Sequence, residues 1–309
     1  MNEYKVFYID LLYYNIGCMD VEIYSDAADF LRKTGDLLRS DEARYGLIYG
    51  IARLVDANPH HYGEEDPLFC TVNDNNYISA LAWRTPPYPV GLAWNAGDPE
   101  KAVLPLIEAV HSRWAEIPGV AGHREVTDPF ADRWCKNFGT SIESTMAQRI
   151  YRLDSVNNIP SLPGRMRLAT LADKDLVSEW RHAFMVEAAS PTSQNIPERD
   201  VTPFIEKSVI YLWEYSENPV SMVMKGRPTE HGMSITLVYT PPELRQNGYG
   251  TACVASVCRD ILRSGCDFCT LYTDLSNPTS NSIYIKIGFK PVCDSVEYAL
   301  SPPIPRNAI

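Results

Sequence analysis

A glycine-rich turn between an apolar strand and a helix is the first feature of this sequence with chemical meaning. Residues 237–251 are LVYTPPELRQNGYGT, so Arg245 precedes Gly248 and Gly250 in the pattern R-x-x-G-x-G. The first backbone N–H groups of a helix lack partners within the helix, and the helix dipole adds partial positive charge there. Glycines let a phosphate approach the backbone closely, and a guanidinium adds a fixed charge. The segment is therefore typical of a pyrophosphate-binding turn.

Two better-known phosphate-binding patterns do not fit this turn. The Walker pattern requires a lysine followed by serine or threonine after the glycines, and none follows here. The Rossmann pattern requires a parallel strand-helix-strand unit, whereas strands of antiparallel type precede this turn. On this motif alone, a helix start with small residues for packing is the alternative interpretation.

A second block follows the next predicted strand, and its residues 277–289 are NPTSNSIYIKIGF. The two blocks resemble, in order and separation, the hallmark motifs of the GNAT superfamily of acyl-CoA N-acyltransferases. The resemblance covers about residues 166–300 and is strongest over 238–291. The longer strings look like a branch with two such domains in tandem. The resemblance thus implies an α/β (α+β) fold with two tandem GNAT-like domains, each a mixed, mainly antiparallel sheet flanked by helices.

The resemblance implies acetyl-CoA (coenzyme A) as co-substrate, with no metal. The strand backbone would run beside the pantetheine arm, the glycine turn would present amides to the pyrophosphate, and an asparagine would bind the cofactor or hold its loop. The expected cofactor-binding residues are Leu237, Val238, Tyr239, Arg245, Gln246, Asn247, Gly248, Tyr249, Gly250, Thr251, Asn277 and Ser280.

Two residues are expected to take part in catalysis. Tyr284 would lie near the thioester sulfur, where a phenol with a pKa of about 10 can donate a hydrogen bond to the departing thiolate. The alternative is a core aromatic on a short helix. The base that accepts a proton from the amine is predicted to be Asp274, at the end of the strand before Asn277, with Glu214 and Glu243 as alternatives. His231 is interpreted as a loop residue.

Hydrophobic periodicity predicts the elements that position these residues. The second half follows the order β-α-(α)-β-β-β-α-β-α-β, with a helix from about Gly248 to Ser264. The first half ends in the same order, with a strand at Val120–Val126 and a short helix at Ala131–Phe138. The proline-containing stretch 154–165 is interpreted as a linker between a domain of residues 1–153 and one of residues 166–309.

The first half lacks the glycine turn. Its corresponding stretch places Asp98 and Glu100 at a helix start, where acids suit the dipole but repel a pyrophosphate. We therefore predict a degenerate first domain that binds no coenzyme and an active second domain.

Composition restricts the partners and the compartment. The net charge of -11 argues against nucleic acid. The run Tyr4–Tyr14 lacks the features of a secretory signal, and no apolar stretch is long enough for a bilayer, which predicts a cytoplasmic protein without membrane contact. Cys266 and Cys269 form a lone C-x-x-C without a second ligand pair, so no metal site is expected.

The resulting hypothesis is an N-acetyltransferase that moves an acetyl or short acyl group from acetyl-CoA to a small-molecule or peptide primary amine by direct attack. An oligomer is compatible with the sequence. The alternatives are a non-catalytic acyl-CoA-binding or sensing module and a partner-binding module.

Overall fold

The structure, a computed structural model, describes residues 19–75, 77–188, 190–192 and 200–302. The apolar run Tyr4–Tyr14 lies outside the described residues. Within the described part, every helix is too short or too polar to cross a bilayer.

The first half contains a short edge strand, two helices, three further strands, and then alternating helices and strands. Its elements are β1 (Asp20–Ile23), α1 (Ala27–Ser40), α2 (Gly46–Ala57), β2 (Leu68–Asp74), β3 (Tyr77–Arg84), β4 (Val90–Trp94), α3 (Pro99–His111), β5 (Gly119–His123), α4 (Arg124–Phe138) and β6 (Ile142–Leu153). Sequence periodicity misses β1, because four residues are too few to establish an alternation.

The second half repeats this order. Its elements are β7 (Arg165–Leu168), α5 (Lys174–Glu187), α6 (Thr202–Glu206), β8 (Ile210–Tyr215), β9 (Asn218–Pro228), β10 (Gly232–Tyr239), α7 (Tyr249–Arg263), β11 (Phe268–Asp274), α8 (Pro278–Ile287) and β12 (Lys290–Leu300). The predicted mixed α/β architecture with a mainly antiparallel sheet is confirmed.

One boundary in the first half differs from the prediction. The predicted strand Val120–Val126 ends at His123, and α4 begins at Arg124 rather than at Ala131. Val126 belongs to the buried helix face that also carries Phe130 and Trp134. These residues are spaced by four, as on one face of a helix, so packing against the core overrides the strand preference of a β-branched residue.

All strands of the described part join one sheet of 12 strands in the order β1-β2-β3-β4-β5-β12-β6-β11-β10-β9-β8-β7. Two pairs are parallel, β4 with β5 and β10 with β11, and the others are antiparallel.

The last strands of the two halves are exchanged at the centre of the sheet. β6 ends the first half but pairs with β11, from Leu153 opposite Cys269 to Gln148 opposite Asp274. β12 ends the second half but pairs with β5 of the first. The predicted domain boundaries stay a prediction, since the sheet runs continuously across them.

Helices cover both faces of the sheet, which explains the nearly continuous apolar strands. Along β2, Leu68 and Cys70 belong to the core under α3 and α4, whereas Phe69 between them belongs to the core under α1 and α2. In the second half, α7 and α8 cover one face with Val254 and Cys258, and α5 and α6 cover the other with aromatic and aliphatic side chains. A strand buried on both faces needs no polar alternation.

Candidate functional site

The parallel pair β10 and β11 separates part-way along its length. Gly232, Met233 and Ser234 pair with Phe268, Cys269 and Thr270. Beyond Ser234, β10 continues to pair with β9, while β11 continues alongside β6 as far as Asp274. A wedge therefore opens between two neighbouring strands, and no strand of the described residues pairs with β10 on its β11 side there. An extended molecule with its own amides can pair with such an edge.

A bulge lies on β10 where the wedge opens. The register with β9 shifts between Thr236 and Tyr239, and Leu237 has a φ of 49°. This left-handed conformation is uncommon for a residue other than glycine and marks a position held by its surroundings. Val238 is half-buried, whereas Leu237 and Tyr239 are buried. The bulge turns the last residues of β10 away from β11, which keeps the wedge open.

The glycine turn leads from β10 to an uncapped helix start. Gln246 and Gly248 both have positive φ, of 66° and 82°, and α7 begins at Tyr249. Gly248 is the N-cap residue, and because glycine has no side chain it cannot accept a hydrogen bond from the first amides of α7 as a capping residue would. Gln246 and Asn247 are exposed. The helix thus presents N–H groups and the positive end of its dipole to an incoming anion.

Two residues of the first turn of α7 face the end of β10. A side chain at Gly250 would approach the Thr240 hydroxyl to 3.2 Å, so glycine keeps this helix close to the strand. Thr251 is buried. The close packing leaves the helix start itself open to solvent.

Arg245 is already paired in this structure. Its Nε donates to the carbonyl oxygen of Thr240 at 2.9 Å, and its Nη2 lies 2.6 Å from Glu187 Oε2 at the end of α5. Both side chains are nearly half exposed, so the pair is weak and can exchange for a stronger anion.

The second sequence block forms α8. Asn277 caps this helix, because its side-chain oxygen accepts from the Ser280 amide at 3.0 Å. Asn281, which sequence reasoning missed, donates to the carbonyl oxygens of Asp274 at 2.9 Å and Asn277 at 2.7 Å. It therefore ties the end of β11 to α8. Its signal in the sequence was only its place in the block, four residues after Asn277.

Tyr284 lies on the inner face of α8. It is 7% exposed and packs edge-on against Phe289 with ring centroids 5.8 Å apart. Burial, with a smaller effect of the Cys258 thiol, raises the pKa of Tyr284 well above its ordinary value. The phenol is thus protonated at neutral pH and able to donate, as its predicted role requires, and it is also a core aromatic.

Asp274 ends β11 beside a cavity of about 420 Å³. Its carboxylate accepts from the Ser276 amide at 2.8 Å and from the Ser276 hydroxyl at 2.6 Å. The alternative Glu214 lies on the edge pair β7 and β8, where Arg165 and Arg167 each approach it to 2.7 Å. These hydrogen bonds, led by that of Arg167, lower the pKa of Glu214, which makes it a poor base. The other alternative, Glu243, is exposed in the turn before α7.

Known proteins share this architecture. The profile of FR47-like proteins matches residues 215–298, which include both sequence blocks. A Drosophila protein of solved structure superposes with a TM-score of 0.68 at 12% identity, over 92% of this chain and 99% of its own. A tandem GNAT protein from the clavulanic acid biosynthesis pathway superposes with a TM-score of 0.51 at 12% identity, over 93% of this chain and 100% of its own.

The chain has the tandem GNAT fold. A GCN5-related N-acetyltransferase from Sphaerobacter thermophilus shares it, with a TM-score of 0.59 at 13% identity over 94% of this chain and 97% of its own. None of the proteins of curated function matches the sequence. The predicted resemblance to tandem GNAT proteins is thus confirmed for the fold, and the individual site residues stay predictions.

In the described residues of the first half, the corresponding strands form no comparable wedge. β4 pairs with β5 as far as Leu92 opposite Gly122, and both strands end within two residues. There the His123 ring bridges them, with Nδ1 3.2 Å from the Trp94 nitrogen and Nε2 3.1 Å from the Arg44 carbonyl oxygen. Burial, followed by the nearby Arg44 charge, lowers the pKa of His123. A ring with a lowered pKa is neutral at neutral pH, and donation from Nε2 to Arg44 leaves Nδ1, which lies 3.2 Å from both the nitrogen and the carbonyl oxygen of Trp94, as an acceptor.

The helix start of the first half is also closed. Asp98 caps α3 by accepting from the Glu100 amide at 3.1 Å, so two carboxylates lie where α7 has free amides. The contrast with the second half supports the prediction that one GNAT half has lost the cofactor site.

His231 lies in the loop before β10, as predicted, and from there it also bonds to the first half. Its Nδ1 lies 2.6 Å from Glu42 Oε1, and its amide donates to Glu42 Oε2 at 2.9 Å. Glu42, Glu230 and His231 are close enough to hold a metal ion together. His231 binds both carboxylate oxygens of Glu42. This pair links the second half to the first and is called the clasp below. Sequence reasoning could not find it, because its members are far apart in the chain.

Proposed function

We propose that this tandem GNAT protein is an acyl-CoA-dependent N-acyltransferase that moves an acetyl or short acyl group to a primary amine. The observation that carries this proposal is the wedge between β10 and β11, which leads directly to the uncapped start of α7. The wedge offers a backbone edge to the amides of a pantetheine arm, and the helix start offers N–H groups to its diphosphate.

The residues around the wedge suit direct transfer. Coenzyme A supplies an acyl group activated as a thioester. The amine nitrogen forms a bond to the acyl carbon while the carbon–sulfur bond breaks. Asp274, directly or through water, takes the proton that the amine loses, and Tyr284 donates a hydrogen bond to the departing thiolate. Burial keeps that phenol protonated over the pH range in which amines are acetylated.

Release of free thiol from acetyl-CoA across a panel of amino acids, polyamines, aminoglycosides and peptides tests this function. A matched pair of variants connects turnover to the site. Gly248→Ala and Gly265→Ala both place a side chain at positive φ, of 82° and 102°, in open space or beside distant atoms. Each should cost about 1 kcal/mol of stability.

The two variants differ in position, because Gly248 precedes α7 and Gly265 follows it. Gly248→Ala should weaken acetyl-CoA binding about tenfold or more, whereas Gly265→Ala should leave it unchanged. Acetyl-CoA binding without thiol release from any amine would favour a sensing module. Equal losses of affinity in both variants would contradict the assigned site.

A further inference from the structure

A buried carboxylate on the exchanged strand β12 binds residues 190–192, which follow α5. Glu297 is 6% exposed and lies opposite Met146 of β6 and Ala121 of β5. Its Oε1 accepts hydrogen bonds from the hydroxyls of Ser190 and Thr192 and, at 3.0 Å, from the Thr192 amide. All three donors come from one short stretch of chain, which Glu297 therefore fixes against the sheet.

The sheet is shaped to receive the segment that Glu297 holds. Gly119 of β5 lies beneath it, and a side chain at Gly119 would come within 2.5 Å of Thr192 Cγ2. Only glycine therefore lets Thr192 lie so close to the sheet. The close approach packs Thr192 directly against the backbone of β5.

The cavity beside Asp274 lies next to this contact. Its wall contains Pro191, which stands between the two residues bound to Glu297, and Met146, the cross-strand neighbour of Glu297. The rest of the wall is formed by residues 144, 145 and 147 of β6, with Asp274 and Ser276. A cavity of about 420 Å³ has the size of a small-molecule site.

Where β6 borders the cavity, no strand of the described residues pairs with one of its two edges. β12 pairs with β6 down to Ile142, but β11 pairs only from Gln148 onward. Leu275 adds one bond, from its amide to the Ala147 carbonyl oxygen at 2.8 Å. The backbone groups of residues 144–146 on that edge and the hydroxyls of Ser144, Thr145 and Ser276 give the cavity many polar partners.

We propose that this cavity is the acceptor site and that Glu297 is the positioning residue that builds its outer wall. The inference rests on the proposed acyltransferase function and names its acceptor class, a small polar amine that arrives as a cation. Asp274 and Glu297 place two negative charges beside the cavity, which attract an ammonium group before it is deprotonated. Asp274, which lines the cavity, ends β11, and β11 also borders the wedge on its other side.

Steady-state kinetics with the best amine from the panel test the proposal. Glu297→Gln keeps the size of the side chain but removes its charge, and it weakens the hydrogen bonds from Ser190 and Thr192. The KM for the amine should rise about tenfold, while the KM for acetyl-CoA stays within about twofold. Thr192→Val, which removes one donor only, should shift the amine KM in the same direction by less. Glu143→Gln, on the exposed start of β6, should change nothing.

Hydrogen exchange at the Thr192 amide gives a second, activity-independent measurement. It should be faster in Glu297→Gln than in the wild type, because the amide loses a charged acceptor. An unchanged amine KM, or equal increases in both KM values, would overturn the acceptor assignment. Unchanged exchange would overturn the positioning role. Absence of turnover in the wild type would contradict the proposed function and, with it, the acceptor site. The positioning role of Glu297 would still be tested by hydrogen exchange at the Thr192 amide.

Discussion

The Nδ1 atom of His123 lies 3.2 Å from the backbone nitrogen of Trp94, at the point where the paired strands β4 and β5 end. In the second half, the corresponding strands separate and leave the backbone of β10 without a strand partner. In the first half, the His123 imidazole thus bonds to a backbone group at the end of β4. In the second half, the corresponding backbone groups of β10 have no imidazole partner among the described residues.

This contrast predicts one coenzyme A per chain. Titration calorimetry with coenzyme A should give a stoichiometry of one, and His123→Ala should leave it at one, because Asp98 still caps α3. The variant should lose about 1–3 kcal/mol of unfolding free energy in urea, since the Trp94 amide loses its acceptor. His60→Ala, at an exposed position, serves as the control. Two binding sites in the wild type would contradict the interpretation.

Replacement of Tyr284 by phenylalanine should lower kcat by about 10²-fold, because the departing thiolate loses its hydrogen-bond donor. The KM for acetyl-CoA should change little, since the ring still packs against Phe289. Because burial raises the pKa of Tyr284, the wild-type rate should show no loss from phenol ionisation up to about pH 10. Tyr24→Phe, which removes a buried hydroxyl in the first half, is the matched control. Full turnover of Tyr284→Phe at every pH would eliminate the assigned role.

Glu187 and the cofactor diphosphate are expected to compete for Arg245. The Glu187→Gln variant removes the negative charge 2.6 Å from the guanidinium and should tighten coenzyme A binding. The expected gain is about two- to fivefold, because an exposed ion pair is worth at most about 1 kcal/mol. Calorimetry at two salt concentrations checks this, and the gain should shrink at high salt. An affinity that falls in Glu187→Gln would show that Glu187 supports the site instead.

The clasp between Glu42 and His231 predicts a pH-dependent stability. Hydrogen bonding to Glu42 raises the pKa of His231, so its contribution is complete below about pH 6.5 and is lost as the pH rises through the raised value. Burial acts to raise the pKa of Glu42, but its hydrogen bonds with Thr229 and His231 outweigh this and lower it. That contribution is present above the ordinary carboxyl pKa of about 4.3 and is lost as the pH falls through the lowered value.

Thermal unfolding of the wild type and of His231→Gln across pH checks the clasp. The difference in Tm should be largest between about pH 4.5 and 6.5 and should shrink toward pH 9. His60→Gln, an exposed histidine beside Glu64, should show a much smaller dependence. A difference in Tm that stays constant across pH would show that the contact acts through packing alone.

The sequence by itself determined the local parts of this protein. Gly248 and Gly250 at the start of α7 and Asn277 at the start of α8 act within a few residues, through backbone freedom and capping. Residues that act on such near neighbours can be recognised from their spacing in the sequence alone. The order of elements was predictable for the same reason, because apolar periodicity reports on one helix or strand at a time.

Only the tertiary structure decided how the two halves share their sheet. The exchange of β6 and β12 depends on pairing between strands that are far apart in sequence, which no local pattern encodes. His123 and Glu297 are single polar residues on strands, where an alternating pattern fits a solvent-facing side chain equally well. Only the tertiary structure shows that both are buried, that His123 contacts the end of β4, and that Glu297 binds residues 190–192.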